Sequence, residues 1–400
     1  MPILSLTEAQ RLIVSHIPIL AAETIPLPEA SNRIAAQAIT AARAVPDFAR
    51  SSMDGYAVNS RDLTAGAEPV TLRVTGEIAA GTTNLPKFSR KTAIAIMTGG
   101  ALPPGANQVI PFECCQRKKD VVLVGSPPQP GAFIRARGTD LAAGQTIVRA
   151  GARIEAQHLP LLAESGLAQV PVISRPELAI ICTGSELLNT ADTPEAGQII
   201  GGNRFLLAAL IRNAGASPRD LGLVADDCDR IVTLLKEALH GPANAVITTG
   251  GMGPGNYDLL PQAFAKLGIR PVYNALAVRP GRSTMFGLYN GKPLFALPGP
   301  PPAVFLLFHE LVLPALRAMR GQRRPLPPLV RATLTTPILL KKTGLLNLKG
   351  AVAKVHGKTL IVRPAGKNEP ANAIIHLPPS RKHLLTGEDV SLHLCTPDLF

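Results

Sequence analysis

A β-branched apolar run that breaks into glycines places the strongest limit on how this chain can fold. Segment 245–258 reads AVITTGGMGPGNYD. The run predicts a buried strand, and the glycines after it lack the Cβ atoms that would keep an anionic group away from the backbone N–H groups. Asp258 then precedes an apolar helix, 259–267, where it would cap the helix, hold a divalent cation, or do both. The segment fits a phosphate-binding loop, and it fits a plain strand-to-helix turn equally well.

The length and the termini limit the class of protein. Four hundred residues suffice for roughly two to four domains, and the 38 prolines indicate many turns and linkers. The N-terminal segment MPILSLTEAQ lacks the basic and apolar regions of a signal peptide, and no stretch of eighteen apolar residues is free of charge. We therefore expect a soluble cytoplasmic protein without membrane contact. The five cysteines show no CxxC pair or Cys/His ligand spacing, which indicates buried thiols instead of disulfides or a zinc site.

The formal net charge of +13 is concentrated at the C-terminus, since residues 321–400 alone carry +8. A basic segment of this kind could bind nucleic acid, but single-strand binders place aromatic residues among the basic ones for base stacking. After Phe308, the only Phe, Trp or Tyr in the sequence is Phe400. We therefore expect no nucleic-acid partner. The charge is interpreted as a solvated basic face or as long-range attraction for an anionic ligand.

Residues 1–176 predict a β domain inserted into a helical one. Apolar spacing predicts two helices within 5–44, joined by a proline turn, and helical spacing returns at 155–169. Between them, residues 70–148 alternate short β-type runs with turns. Asp54 stands in the polar loop SSMDG, for which an ordinary Asp-Gly turn is the simpler interpretation.

From Arg175 onward, strands and helices alternate, which predicts a parallel sheet with helices on both faces. Asn203 is the predicted N-cap of the first of these helices. The predicted strands are 178–182, 220–224, 245–249 and 294–297, and the predicted helices are 205–212, 229–239, 259–267 and 303–319.

Carboxylates follow several successive strands of this predicted sheet. Glu186, Asp226, Asp227 and Asp258 each stand just after a strand, and the carboxyl ends of parallel strands share the edge where ligands bind. A few carboxylates beside a phosphate-binding loop suit Mg²⁺, which combines few protein oxygens with ligand phosphate. Two arginines in the segment VRPGR (278–282) add planar donors for an oxyanion, although surface arginines beside a Pro-Gly turn explain them as well.

The motifs MDGYAV, TGEIAAG, IMTGGALPPGANQVIPFE, TGSELL, TTGG…YD, RPG and LPG occur in an order similar to that of the molybdopterin molybdenumtransferase family, which includes MoeA and the gephyrin E domain. The resemblance extends nearly end to end. It implies a multi-domain α/β and β fold with a central three-layer α/β domain and a mostly parallel sheet. It also implies a homodimer with active sites shared between subunits. The implied parts are a helical linker or dimerisation domain (1–45 and 141–176), an inserted β domain (46–140), an α/β molybdopterin-binding domain (177–322) and a C-terminal β domain (323–400).

The resemblance further implies insertion of molybdate into adenylylated molybdopterin, with Mg²⁺ as cofactor and release of AMP. The implied catalytic residues are Asp54, Asp140, Glu186, Asp226 and Asp258. The two N-terminal aspartates are expected from the partner subunit, and the other three are expected to hold Mg²⁺. The arginines of VRPGR stand where the family usually has lysines that attract molybdate. The implied substrate-binding residues are Thr183, Gly184, Ser185, Asn203, Thr249, Gly250, Gly251, Gly253, Gly255, Arg279, Arg282, Pro298 and Gly299.

Two other functions stay open at the level of sequence. A protein of this fold could bind molybdopterin, or act as a scaffold for partner enzymes, with weak or no insertion activity. It could also transfer AMP from ATP to molybdopterin as an adenylyltransferase. The partner proteins that the resemblance suggests are molybdopterin adenylyltransferase and molybdoenzymes.

Overall fold

The structure is a computed structural model that describes residues 3–63, 69–125, 127–253 and 258–396. The chain forms two compact units. The main unit consists of Met1–Glu23 and Ile173–Phe400, and the inserted unit consists of Thr24–Val172. The finer division into four parts remains a prediction.

A six-stranded central sheet forms the middle of the main unit. Its first four strands are parallel, so the predicted parallel arrangement is confirmed. The fifth strand runs antiparallel to them, and the sixth pairs antiparallel with the fifth. Three of the parallel strands, Glu177–Thr183, Ala245–Thr249 and Lys292–Leu297, are almost entirely buried and mainly apolar because helices cover both of their faces. The edge strand Ser217–Val224 is more polar and more exposed. In spatial order the strands are Ser217–Val224, Glu177–Thr183, Ala245–Thr249, Lys292–Leu297, Met285–Tyr289 and Arg270–Tyr273.

Alternate residues of the central strands pack into two separate cores. Ile180 and Ile247 belong to one core, whereas Ile181 and Val246 belong to the other. Burial of apolar side chains on both faces stabilises the three layers. The predicted helices on both faces are confirmed. The first core contains side chains of Leu6–His16, Asn203–Asn213, Pro301–Leu307 and Leu313–Met319, and the second contains side chains of Cys228–His240 and Leu260–Leu267.

The segment Pro301–Met319, called here the apolar helix, contains a π-helical turn over Phe308–Val312. By length and hydropathy it is the one helix in the described part of the chain that could cross a membrane. However, 72% of its most apolar window is buried inside the protein. Its buried side chains pack in the first core against the central sheet, so it is a core helix of this fold.

The C-terminal strands of the main unit close into a barrel. In ring order they are Leu346–His356, Thr359–Pro364, Val330–Leu334, Asp389–Leu394 and Ala373–Leu377, and the last strand pairs with the first. A short strand, Val278–Arg279, joins the outside of this ring beside Leu346–His356. The two-stranded pair Ile338–Leu339 with His383–Leu384 belongs to the same segment. Apolar side chains of the ring form a core of their own.

The inserted unit consists mainly of strands, as predicted for residues 70–148. Its main sheet has apolar clusters on both faces. In spatial order its strands are Gln108–Pro111, Gly55–Val58, Thr92–Ile96, Val70–Ile78, Val121–Val124 and Cys115–Lys118. Further elements are the strand pairs Ile39–Thr40 with Thr146–Val148 and Arg50–Ser51 with Ile134–Arg135, and the helix His158–Glu164.

One of the two predicted N-terminal helices is wrong. Leu6–His16 is helical, but residues 30–41 are not. Asn32 has a φ of 62°, in the left-handed region, and its N–H donates to the carbonyl of Ile154 instead of to a helical neighbour. Pairing with a distant segment thus supplies the backbone hydrogen bonds here, and apolar spacing alone could not reveal it.

Gly55 is a point of close backbone approach in the inserted unit. A Cβ atom there would lie 2.1 Å from the carbonyl oxygen of Ile110 on the neighbouring strand.

We expect Gly55→Ala to lower the free energy of unfolding by about 3 kcal/mol, because the two strands must move apart. At Gly125, in the same unit, an added Cβ meets no atom of the described residues within 4 Å, so Gly125→Ala is the control. Chemical denaturation measures the difference, and equal stabilities of the two variants would contradict the prediction.

Candidate functional site

A cavity of about 610 Å³ opens at the carboxyl ends of the parallel strands of the central sheet. Its wall comes mainly from the loops after Glu177–Thr183, Ala245–Thr249 and Lys292–Leu297. Open parallel sheets bind ligands at this edge. The predicted site residues that line the cavity are Thr183, Gly184, Glu186, Asn203, Asp226, Thr249, Gly250, Gly251, Gly253, Asp258, Pro298 and Gly299.

Two hydrogen bonds join the loop after Glu177–Thr183 to the end of the neighbouring strand. The N–H of Ser185 donates to Asp226 Oδ2 over 3.0 Å, and the N–H of Asp226 donates to Ser185 Oγ over 2.9 Å. Ser185 was predicted to bind substrate, but it does not line the cavity as the described residues define it. Its two hydrogen bonds hold the carboxylate of Asp226 in place, and its binding of substrate stays a prediction.

The glycine loop after Ala245–Thr249 approaches the adjacent strand closely. Gly250 has a φ of 89°, and a Cβ atom there would lie 2.3 Å from the carbonyl oxygen of Thr183. The N–H of Gly250 donates to the carbonyl of Leu297 over 3.2 Å. Only glycine fits this backbone position without displacing the wall. The predicted substrate-binding residue Gly255 lies in 254–257, outside the described residues.

Asn203 reaches the cavity wall from the start of a helix. It is the first residue of Asn203–Asn213, and the N-cap is Gly202, so the predicted capping role of Asn203 is wrong. Asn203 Nδ2 donates to the carbonyl of Gly299 over 2.7 Å, a bond that holds the side chain against the loop after Lys292–Leu297. Its Oδ1 is buried and has no hydrogen-bond partner among the described residues. Because buried acceptors are normally paired, this oxygen is a candidate acceptor for a ligand donor.

The three carboxylates predicted to hold Mg²⁺ all line the cavity. Among the described residues, their oxygens do not form a group that lies within 4.8 Å of one another. The helix after Asp258 is Leu260–Leu267 and its N-cap is Leu259, so Asp258 does not occupy the capping position.

Asp227, the fourth carboxylate at a strand end, has a structural role. Its Oδ1 accepts from the N–H groups of Arg230 and Asp229, and it caps the helix Cys228–His240. The hydrogen bond from the Arg230 N–H contributes most to holding the pKa of Asp227 below its usual range. Asp227 therefore serves as a cap, while its neighbour Asp226 lines the cavity.

Sequence reasoning missed the apolar part of the wall. Leu187 and Ile199 line the cavity and are paired in the short parallel strands Leu187–Leu188 and Ile199–Ile200. Ile199 is 55% exposed, so it offers an apolar surface to a ligand. The TGSELL motif contains Leu187, but no signal in the sequence connected it with Ile199. The wall also contains Cys182, Ile200, Gly201, Gly202, Met252, Ser283, Pro300 and Pro301.

The two predicted arginines do not belong to the cavity wall that the described residues form. Arg279 lies in Val278–Arg279 and pairs with Asn347 of the barrel. Arg282 is exposed, and the next residue, Ser283, lines the cavity.

Asp54 and Asp140 belong to the inserted unit, where both are exposed. Asp54 Oδ1 accepts from the N–H and from the hydroxyl of Thr98, each over 2.7 Å. These hydrogen bonds hold the pKa of Asp54 below its usual range. Asp140 forms an ion pair with Arg135.

Two known protein families match most of the chain. Residues 4–166 match the MoeA N-terminal region (domain I and II). Residues 179–318 match the probable molybdopterin binding domain.

Curated relatives and solved structures cover nearly the whole chain. The molybdopterin molybdenumtransferase of Staphylococcus aureus (strain MSSA476) is 31% identical over 98% of this chain and 95% of its own length. The molybdopterin molybdenumtransferase of Bacillus subtilis (strain 168) is 32% identical over 93% of this chain and 89% of its own length. The crystal structure of the molybdopterin biosynthesis MoeA protein from Pyrococcus horikosii is similar with a TM-score of 0.86 and 27% identity, and covers 99% of this chain and 100% of that one. By this similarity along its whole length, the chain belongs to the molybdopterin molybdenumtransferase family.

Proposed function

We propose that this protein is a Mg²⁺-dependent molybdenumtransferase that inserts molybdate into adenylylated molybdopterin and releases AMP. The observation that carries the proposal is the cavity at the sheet edge, where a glycine loop, three carboxylates and a buried amide oxygen meet, the oxygen having no hydrogen-bond partner among the described residues. A substrate that joins a heterocycle to a phosphoanhydride needs these three kinds of group. Membership of the family supports the same assignment.

The glycine loop suits the phosphate groups of the substrate. Gly250 and Gly251 have φ values of 89° and 59°, and neither carries a side chain that would hold anionic oxygens away from the backbone. Backbone N–H groups in loops of this kind bind anions. A Cβ atom at Gly253 would lie 2.6 Å from Asp258 Oδ2, so the loop also packs against a carboxylate of the site.

Another part of the wall suits the heterocycle. Asn203 Oδ1 would accept a hydrogen bond from a ring N–H or an amino group, since Nδ2 of the same amide already donates to Gly299. Leu187 and Ile199 provide apolar contacts for the face of a ring. A substrate held at both ends would lie in one fixed direction across the cavity.

The donor set fits Mg²⁺. Glu186, Asp226 and Asp258 supply oxygen ligands, and Mg²⁺ usually takes one or two carboxylates together with substrate phosphate and water, so a preassembled group of three is not required. When bound, Mg²⁺ would polarise the phosphoanhydride and neutralise charge on the AMP leaving group. Ser185 would keep Asp226 in place for this role through their paired hydrogen bonds.

The proposed working unit is a homodimer in the cytoplasm. Asp54 and Asp140 are exposed carboxylates of the inserted unit, and each is assigned to complete the site of the other subunit. Molybdopterin adenylyltransferase would supply the substrate, and molybdoenzymes would accept the product.

A direct assay tests the proposal. Purified protein is mixed with adenylylated molybdopterin, molybdate and Mg²⁺, and AMP release and molybdenum incorporation are measured together. Both products are expected in equal amounts. Pterin binding with neither product would favour a binding or scaffold role, and AMP transfer from ATP to molybdopterin would favour an adenylyltransferase.

Asp258→Asn should reduce Mg²⁺-dependent AMP release by about 100-fold, because an amide oxygen stabilises a hard cation, and the charge that it neutralises, less well than a carboxylate. Its thermal stability should change little. Asp227→Asn is the matched control, since Asn is also a good helix cap and Asp227 does not line the described cavity wall. Steady-state AMP release measures both variants, and a normal rate for Asp258→Asn would remove its proposed role.

Complementation tests the shared site. Asp54→Ala chains and Asp258→Ala chains should each be inactive, but a hybrid dimer would contain one intact site. Random exchange in an equal mixture should therefore restore about a quarter of the wild-type activity. Two different affinity tags allow the hybrids to be isolated, and inactive hybrids would argue against sharing between subunits.

Replacing Arg279 and Arg282 together by lysine should change how insertion depends on molybdate concentration and leave pterin affinity nearly constant. Arginine presents a planar fork to an oxyanion, whereas lysine is a compact and strongly hydrated charge. Molybdenum incorporation is measured against molybdate concentration at fixed salt, because exposed charges are screened. Arg331→Lys, an exposed arginine of the barrel, is the control. Superimposable curves for the double variant and wild type would exclude contact with the oxyanion.

A further inference from the structure

Glu310, His376 and His393 form a buried cluster outside the cavity wall described above. The side chain of Glu310 is 0% exposed, and those of His376 and His393 are 11% and 9% exposed. A carboxylate is seldom fully buried unless it is paired or coordinates a metal ion. Apolar packing alone therefore does not explain why this carboxylate is buried.

The fold brings these side chains together from distant parts of the chain. Glu310 lies in the π-helical turn of the apolar helix, and π-helical turns are frequent at functional sites. The histidines lie on adjacent antiparallel strands of the barrel, where Ile374 pairs with His393 and His376 pairs with Ser391. Residues two apart on a strand share a face. Both imidazoles therefore lie on the face from which Ile374 packs into the core around the apolar helix.

The polar atoms of the cluster converge closely. His376 Nε2 lies 2.8 Å from Glu310 Oε1, and His393 Nδ1 lies 2.9 Å from both carboxylate oxygens. The two imidazole rings meet edge to face with centroids 4.5 Å apart. Gln10 Nε2 donates to Glu310 Oε2 over 3.1 Å and to the Glu310 carbonyl over 3.0 Å. Gln10 thereby fixes the orientation of the carboxylate.

We propose that Glu310, His376 and His393 form a binding site for a divalent transition-metal ion, with Zn²⁺ as the expected occupant. Two imidazole nitrogens and one carboxylate are a common donor set for Zn²⁺. With metal–ligand bonds of about 2.0–2.2 Å, neighbouring ligand atoms of a tetrahedral site lie about 3.3–3.6 Å apart. The nitrogen–oxygen distances of 2.8 and 2.9 Å in this cluster would therefore lengthen by about half an ångström to admit the ion. Each ring would direct a lone pair at the ion and carry its proton on the other nitrogen.

The charge balance supports an ion at this position. The carboxylate of Glu310 would place a negative charge among the apolar side chains of the first core. Hydrogen bonds from the imidazoles and from the Gln10 amide offset that charge in part, and a divalent cation held between the same groups would offset it directly. Water, or the amide oxygen of Gln10 after rotation of the amide, would take the fourth position. The ion would join the apolar helix to the barrel and stabilise both.

The competing explanation is a metal-free hydrogen-bonded network, and two substitutions separate the alternatives. His376→Gln places an amide N–H near the position of Nε2, and His393→Asn does the same near Nδ1. The double variant thus keeps donors for Glu310 and loses both nitrogen ligands.

Full-length wild type and double variant are stripped of metal with EDTA and titrated with Zn²⁺ by calorimetry. Excess Mg²⁺ is present to occupy exposed carboxylates. His383→Gln, at an exposed histidine of the C-terminal segment, is the matched control.

Wild type and the control are expected to bind one Zn²⁺ per chain and to melt at a temperature that rises with Zn²⁺ concentration. The double variant should bind Zn²⁺ at least about tenfold more weakly than wild type does. After treatment with EDTA, the melting temperatures of the double variant and of wild type should be nearly equal. Failure of wild type to bind stoichiometric Zn²⁺, or equal binding by the double variant, would overturn the proposal. If the double variant does not fold, X-ray absorption of Zn²⁺-loaded wild type decides, because two nitrogen ligands support the site and an all-oxygen shell rejects it.

Discussion

Burial of the central strands on both faces is the constraint on which the main unit depends. Because helices cover both faces, the side chains of these strands pack into the two cores. Ile180 and Ile181, for example, lie on opposite faces of one strand and belong to different cores. Polar groups can then gather only where the strands end. The cavity, its glycine loop and its carboxylates all lie at that edge, so the location of the cavity follows from the layering of the fold.

Short hydrogen bonds between neighbouring loops give this edge a defined shape. Ser185 holds the strand end at Asp226, Gly250 is bonded to Leu297, and Asn203 is bonded to Gly299. Each bond joins segments that are far apart in sequence: the first two connect the ends of adjacent strands, and the third connects a helix to the loop after Lys292–Leu297. Because these hydrogen bonds form within the protein itself, the edge is organised before any ligand binds. This lowers the free-energy cost of orienting a ligand that contacts several parts of the cavity.

Sequence patterns predicted the central sheet well, because strands buried on both faces are continuous apolar runs such as 178–182 and 245–249. They also predicted that carboxylates gather at the strand ends, since parallel strands must end at one edge. They failed over residues 30–41, where pairing with a distant segment outweighs helical spacing. Neither the contact of Leu187 with Ile199 nor the meeting of Glu310 with two distant histidines leaves a local signature, because both depend on how separate elements pack.

The barrel shares backbone and side-chain contacts with the rest of the main unit that a simple division at residue 322 would sever. Its outer strand, Val278–Arg279, comes from the chain between two central strands, and its imidazoles bond the carboxylate of Glu310. A chain cut there would remove these partners of Glu310 and would open the first core, to which Leu348 and Ile374 of the barrel contribute. The barrel and the central sheet therefore share one core within the main unit, and a substitution on the barrel face that carries Ile374 acts on the central sheet as well.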